Sequence, residues 1–161
     1  MNFTVREAVI SDAKSILNLI IELAVFEKLP KEVELTVSDI EKDGFSEHPL
    51  FKTFVAEKED GGVIGMALFY DRYSTWKGKA IHLEDLIVTE KERKKGAGKA
   101  LYNAVMQYAH DNNYKRVAWD VLDWNTNAID FYESTGASVL PDWRVAHMNE
   151  QGLKKFVNEN I

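Results

Sequence analysis

Apolar and polar positions alternate from Phe3 to Arg6, the period of a short strand with one face turned inward. Ser11-Asp12 then offers a helix start, with Ile16, Ile20 and Leu23 spaced to share one helical face. Thr36-Val37-Ser38-Asp39 has the form of a capping box, which predicts a second helix ending near Gly44. Strand-like runs follow at Thr53 to Lys58, Val63 to Tyr70 and Ala80 to Val88. Their connectors, Gly61-Gly62 and Trp76-Lys77-Gly78, are short enough for an antiparallel meander. From Gly96 the period lengthens: Leu101, Val105 and Tyr108 form one apolar stripe, with Ala97, Ala100 and Ala104 beside it. Arg116 to Leu122 reads as a further strand, Asn125 as the cap of a short helix reaching Glu133, and Trp143 to Met148 as a last strand. The expected class is α+β, with helices on the faces of a mostly antiparallel sheet.

With 161 residues and no linker or repeat, the chain is expected to form one domain over residues 1–161. Twenty Lys and Arg against 26 Asp and Glu leave a net charge of −6, which argues against a phosphate-backbone binder and favours cationic partners, so no nucleic acid is expected. The absence of cysteine removes disulfides, thiolate zinc sites and cysteine nucleophiles. His48, His82, His110 and His147 match no metal-binding spacing, and no metal is expected. The longest greasy stretch, Ile16 to Phe26, is interrupted by Asn18 and Glu22 and is too short for a bilayer, so no membrane association is expected. No secretory signal is visible, and a cytoplasmic location is the expectation.

The run Ala80 to Val88 leads into Arg93-Lys94-Lys95-Gly96-Ala97-Gly98 and then the long helix. Amides at a helix N-terminus lack intrahelical partners, and the dipole adds positive potential, so such a turn can hold a pyrophosphate. Arg93, Lys94, Lys95 and Lys99 add charge there. A P-loop is excluded, because Arg93 replaces its first glycine and Ala100 its Ser or Thr. A Rossmann fingerprint is excluded by Leu101 in place of the third glycine. On spacing alone, a phosphate cradle and an exposed basic turn are equally good readings.

Arg93-x-x-Gly96-x-Gly98, after a strand and before a helix, resembles the acetyl-coenzyme A signature of the GNAT N-acetyltransferases. The resemblance covers almost the whole chain. Glu22-Leu23-Ala24, Asp43-Gly44-Phe45, Glu47-His48-Pro49, Leu83-Glu84-Asp85, Trp124-Asn125 and Phe131-Tyr132 are similar, in that order, to the diamine (spermidine/spermine) acetyltransferase branch. It implies the GNAT (acyl-CoA N-acyltransferase) fold with a splayed central sheet, a homodimer, and acetyl transfer from acetyl-CoA to a primary amine.

Such transfer requires a neutral amine, yet an alkylammonium with a pKa of about 10.4 leaves roughly one molecule in 2,500 deprotonated at pH 7, a cost of about 4.6 kcal/mol. A nearby carboxylate can take the proton, directly or through water. Glu84 is the candidate, because it interrupts an apolar strand where an unpaired charge is expensive. Asp85 falls on the opposite sheet face unless a bulge intervenes, and the resemblance implies a bulge on this strand with both acids near the amine. The alternative is that both acids pair with Lys or Arg at a sheet edge. The resemblance assigns the general-acid role toward the departing thiolate to Tyr132, which would otherwise be a packing residue. Direct attack in a ternary complex is implied, since no cysteine carries an acyl group.

The resemblance further implies that the backbone of Leu86, Ile87 and Val88 pairs with the pantetheine arm. Amides from Lys94 to Lys99, Gly96, Ala97 and Gly98 included, would hold the pyrophosphate. Asn125, Thr126, Asn127 and Ala128 would form a second cofactor-contacting stretch. It places Phe26, Glu27, Trp76, Asp142 and Trp143 near the acceptor, with carboxylates and aromatic faces receiving a cation; Trp76 and Trp143 could equally be core. Polyamine-acetylating members usually carry Asp where Ser74 stands. Ser74-Thr75 is instead similar to the thialysine acetyltransferase members, and hydroxyls suit an amino-acid head group. The expected acceptor is therefore a small cationic amine, thialysine-like or a diamine. The alternatives are spermidine or spermine, a non-catalytic acetyl-CoA-binding module, and acetylation of a peptide.

Overall fold

The computed structural model describes residues 2–161, grouped into a unit running to Asp120 and a second unit, Val121–Ile161. In the first unit, five strands form one sheet in the order β1 (Phe3–Glu7), β2 (Lys52–Lys58), β3 (Val63–Ser74), β4 (Gly78–Val88) and β5 (Arg116–Ala118). The first three pairings are antiparallel and β4–β5 is parallel. The α+β expectation holds, and the predicted strands are present, but β5 stops at Ala118 instead of Leu122.

Helix α1 (Ala13–Phe26) follows a short 3₁₀ turn at Ile10–Asp12. Asp12 fixes that turn by accepting from the Val9 N–H at 2.8 Å and from Arg6 at 2.7 Å, while Arg6 Nε also donates to Glu57 at 2.9 Å. Helix α2 (Val37–Phe45) opens on the expected capping box, with the Asp39 N–H donating to Thr36 Oγ1 and the Thr36 N–H to Asp39 Oδ2. One face of the sheet packs Val55, Met66 and Ile87 against Ile16 and Leu19 of α1 and Ile40 of α2, a dry core driven by apolar burial. The other face meets α3 (Ala97–Asp111), whose Leu101 and Val105 are fully buried. There Phe54, Phe69 and Tyr108 form an aromatic cluster with ring centroids 5.2–6.1 Å apart.

The second unit holds α4 (Thr126–Ser134) and α5 (Glu150–Asn160). Asn125 caps α4 as expected, its side chain accepting from the Ala128 N–H. The strand expected at Trp143 to Met148 does not form. The segment is irregular and exposed, with Trp143 at 70% accessibility, and apolar alternation alone does not make a strand where no neighbour completes the ladder. Helix α5 was not foreseen. Its signals are the Asn149 cap and the spacing of Leu153, Phe156 and Val157, with Gly152 diluting the helical pattern.

Candidate active site

The decisive local feature is a β-bulge in β4. Asp85 lies opposite Leu68 and Leu83 opposite Phe69, which leaves Glu84 as an extra residue without a partner on β3. Tyr70, opposite His82, donates its hydroxyl to Glu84 Oε2 at 2.9 Å. Residues 66, 68 and 70 alternate along β3 and share the face that meets α1. The bulge therefore turns Glu84 and Asp85, adjacent in sequence, toward the same side of the sheet.

On that side α1 ends at Phe26, followed by Glu27. Burial, then the charges of Glu84 and Glu27, push the Asp85 carboxyl up to about 7. Glu27 is likewise raised, by burial and then by Glu84. Three carboxylates and the negative end of the α1 dipole thus converge, an arrangement that favours a cation. Glu84 is the exposed member of the group. Burial, then its bond to Glu84, raises the Tyr70 phenol to about 12. His82, only 8% accessible, lies between Arg72 and Glu84: Arg72 Nη1 is 3.3 Å from its Nδ1, and its Nε2 is 3.4 Å from Glu84 Oε2.

Beyond this cluster β4 loses one neighbour. Strand β5 pairs only with Ala80, Ile81 and His82, so Leu86, Ile87 and Val88 are paired to β3 alone and keep one backbone edge open. Arg93 Nε donates to the Val88 carbonyl at 2.9 Å, and its guanidinium lies 5.3 Å from the centroid of the Phe26 ring. Arg93 therefore ties the loop to the strand end and to α1. Glu22 makes a parallel tie, accepting from Thr89 Oγ1 and from the Glu90 N–H, each at 2.8 Å.

The loop enters α3 through Gly96, whose φ of +94° suits glycine. No side chain caps the helix, and Lys94, Lys95 and Lys99 are exposed around its first turn. A Cβ added at Gly98 would meet only Val88 Cγ2, at an ordinary 3.6 Å. Neighbouring protein atoms therefore do not require glycine there, whereas a ligand lying on the turn would. An uncapped helix start, exposed lysines and a bare Cα fit the diphosphate of acetyl-CoA.

The remaining expected residues lie apart from the acids or in the second unit. Ser74 accepts from the Trp76 and Lys77 N–H groups at 3.3 and 3.1 Å in the β3–β4 turn, while Thr75 and Trp76 are exposed. Glu84 lies six residue steps along β4 from Gly78, which is opposite Ser74, about 20 Å at 3.3 Å per residue. Within one chain these groups do not meet. In the second unit Tyr132 is buried on α4, stacked in a tilted pair with Phe131, and Asp142 and Trp143 are exposed. Trp76 and Trp143 are thus not core residues. The sequence reading missed Tyr70, Arg72, His82 and Glu22 as parts of this region. The signal available for His82 was a polar residue two places before Glu84 in an otherwise apolar run.

The profile of the Acetyltransferase (GNAT) family matches residues 14–137. Bovine (Bos taurus) thialysine N-epsilon-acetyltransferase is 39% identical over 165 residues, which cover 96% of this chain and 97% of that protein. The Sus scrofa protein of the same name is 37% identical, with 96% and 97% covered. Among solved structures, an integron cassette protein from V. cholerae superposes with a TM-score of 0.78 over 98% of both chains at 24% identity, a likeness of fold alone.

Proposed function

The chain belongs to the GNAT family and is an acetyl-CoA-dependent N-acetyltransferase, and from that premise we propose that it acetylates the primary amine of a small cationic acceptor, a thialysine- or lysine-like amino acid before a diamine. The observation that carries this reading is the bulge at Glu84, which turns two adjacent carboxylates, coupled electrostatically to Glu27, to one side of the sheet beside the open edge of β4.

In this reading acetyl-CoA supplies the activated acetyl group. The backbone of Leu86, Ile87 and Val88 and the amides from Lys94 to Lys99 hold it, and Asn125 to Ala128 make its second contact. Glu84, exposed on the bulge, takes the ammonium proton directly or through water, a step whose cost at pH 7 is about 4.6 kcal/mol from the alkylammonium pKa. Asp85 and Glu27 add the negative potential that draws the ammonium in, and the Phe26 ring closes one side. Tyr132 on α4 donates to the leaving sulfur. Hydroxyls at Ser74 and Thr75, rather than a further acid, favour an amino-acid head group over a second distant ammonium. Kinship with two thialysine N-epsilon-acetyltransferases supports the same preference.

The test measures thiol release from acetyl-CoA with thialysine, lysine, putrescine, spermidine and a lysine peptide at equal concentration. The highest kcat/KM is expected with thialysine or lysine. A clear preference for spermidine, or thiol release independent of any acceptor, would overturn the assignment.

A further inference from the structure

Arg72, His82, Glu84 and Tyr70 form a continuous polar run across β3 and β4 on the face that carries the acidic cluster. Its chemistry has a direction. A guanidinium only donates, so the 3.3 Å contact from Arg72 Nη1 makes Nδ1 of His82 the accepting nitrogen and leaves the ring proton on Nε2. That nitrogen faces Glu84 Oε2 at 3.4 Å, the same oxygen that accepts from Tyr70. The His82 ring is 8% accessible and lies against the Tyr70 ring at 5.3 Å, which fixes its plane. A glutamate exposed on a bulge would otherwise sample several rotamers, and each would present a different oxygen to an incoming amine. Tyr70 donates to Oε2 and His82 Nε2 stands 3.4 Å from the same oxygen, while Oε1 has neither contact.

We propose that His82 is a positioning residue, held by Arg72 in the tautomer that points N–H at Glu84, and that it fixes Oε2 so that Oε1 meets the acceptor amine. The proposal rests on the reading of Glu84 as proton acceptor. The titratable and charged groups around Glu84 are Tyr70 and Arg72 of β3, His82 and Asp85 of β4 and Glu27 after α1, with Asp120 after β5 acting on Tyr70.

The experiment compares steady-state kinetics, pH profiles and calorimetric coenzyme A binding for His82→Leu, His82→Gln, Arg72→Met, Glu84→Gln and the His82→Leu/Glu84→Gln pair. His82→Leu is expected to lower kcat/KM by about 10–100-fold, the usual effect of removing an orienting partner, with coenzyme A affinity unchanged. His82→Gln, which keeps an N–H at that reach, should recover most of the loss. In the Glu84→Gln background His82→Leu should add almost nothing, as for residues acting through one group. Equal losses in both backgrounds, or wild-type kinetics for His82→Leu beside an impaired Glu84→Gln, would overturn the positioning role and leave the reading of Glu84 standing. A fully active Glu84→Gln would overturn that reading, and this inference with it. If His82→Leu does not fold, exposed Arg72 decides: Arg72→Met should lose activity in the same direction, and wild-type kinetics would refute the proposal.

Discussion

Asp85 carries a charge that the fold resists. Its carboxyl is pushed up to about 7 by burial and by Glu84 and Glu27, against an ordinary aspartate value near 3.8. A carboxyl whose folded pKa exceeds its unfolded one stabilises the fold fully below the unfolded value, and that contribution is lost as pH rises through the folded value. The window here runs from about pH 4 to pH 7, and the cost of ionising Asp85 above it is at most about 4 kcal/mol, reduced by whatever water reaches the site. Asp85→Asn is therefore expected to raise Tm at pH 8 by several degrees and to leave it nearly unchanged at pH 4, since about 1 kcal/mol moves Tm by about 2–4 °C in a chain of this size. The same variant should lose acetyl transfer. Thermal melts at the two pH values check the first expectation; an equal shift at both would mean that Asp85 is not buried as a charge. A stabilised but inactive variant is the mark of an acid kept for binding a cation.

At the scale of elements, the strand–turn–helix at β4 and α3 was legible in the sequence because each part has a local signature. The apolar run to Val88, Gly96 and Gly98, and the alanine-rich helix read correctly without tertiary information. The bulge is different. Residue types alone leave Glu84 and Asp85 on opposite faces, and only the pairing of Leu68 with Asp85 and of Phe69 with Leu83 turns both acids one way. Likewise β5 stops at Ala118 and Trp143 to Met148 forms no strand, because a ladder depends on a neighbour that local patterning does not encode. The contact of Arg72 with His82 was illegible for the same reason: cross-strand register creates it. The glycine turn yields a test that separates fold from ligand. At Gly98 a methyl group meets Val88 at 3.6 Å, and alanine is the better helix former, so Gly98→Ala should hold or raise Tm. It should weaken coenzyme A binding in calorimetry by at least about tenfold, roughly the 1.4 kcal/mol expected when a diphosphate loses close backbone contact. Unchanged affinity would mean that the diphosphate does not lie on this turn.

For the whole molecule, the net charge of −6 and the acid cluster both favour cationic acceptors, the first by raising their concentration near the surface and the second by holding them. The placement of Ser74, Thr75 and Trp76 then becomes an argument about assembly. They stand about 20 Å along β4 from Glu84, farther than a small amine reaches. If they select the acceptor, as proposed, a second copy of the chain brings them to it, and each pocket of a homodimer is built from both subunits. A two-fold interface is self-complementary, so one exchange creates two such pockets. Glu84→Gln and Trp76→Ala chains, each nearly inactive alone, should then complement each other when co-expressed. Random pairing gives heterodimers in about half of the assemblies, each with one unaltered pocket of two, so the mixture should approach about a quarter of wild-type activity. Activity no greater than the average of the two separate variants would confine each pocket to one chain and remove Ser74, Thr75 and Trp76 from the acceptor site.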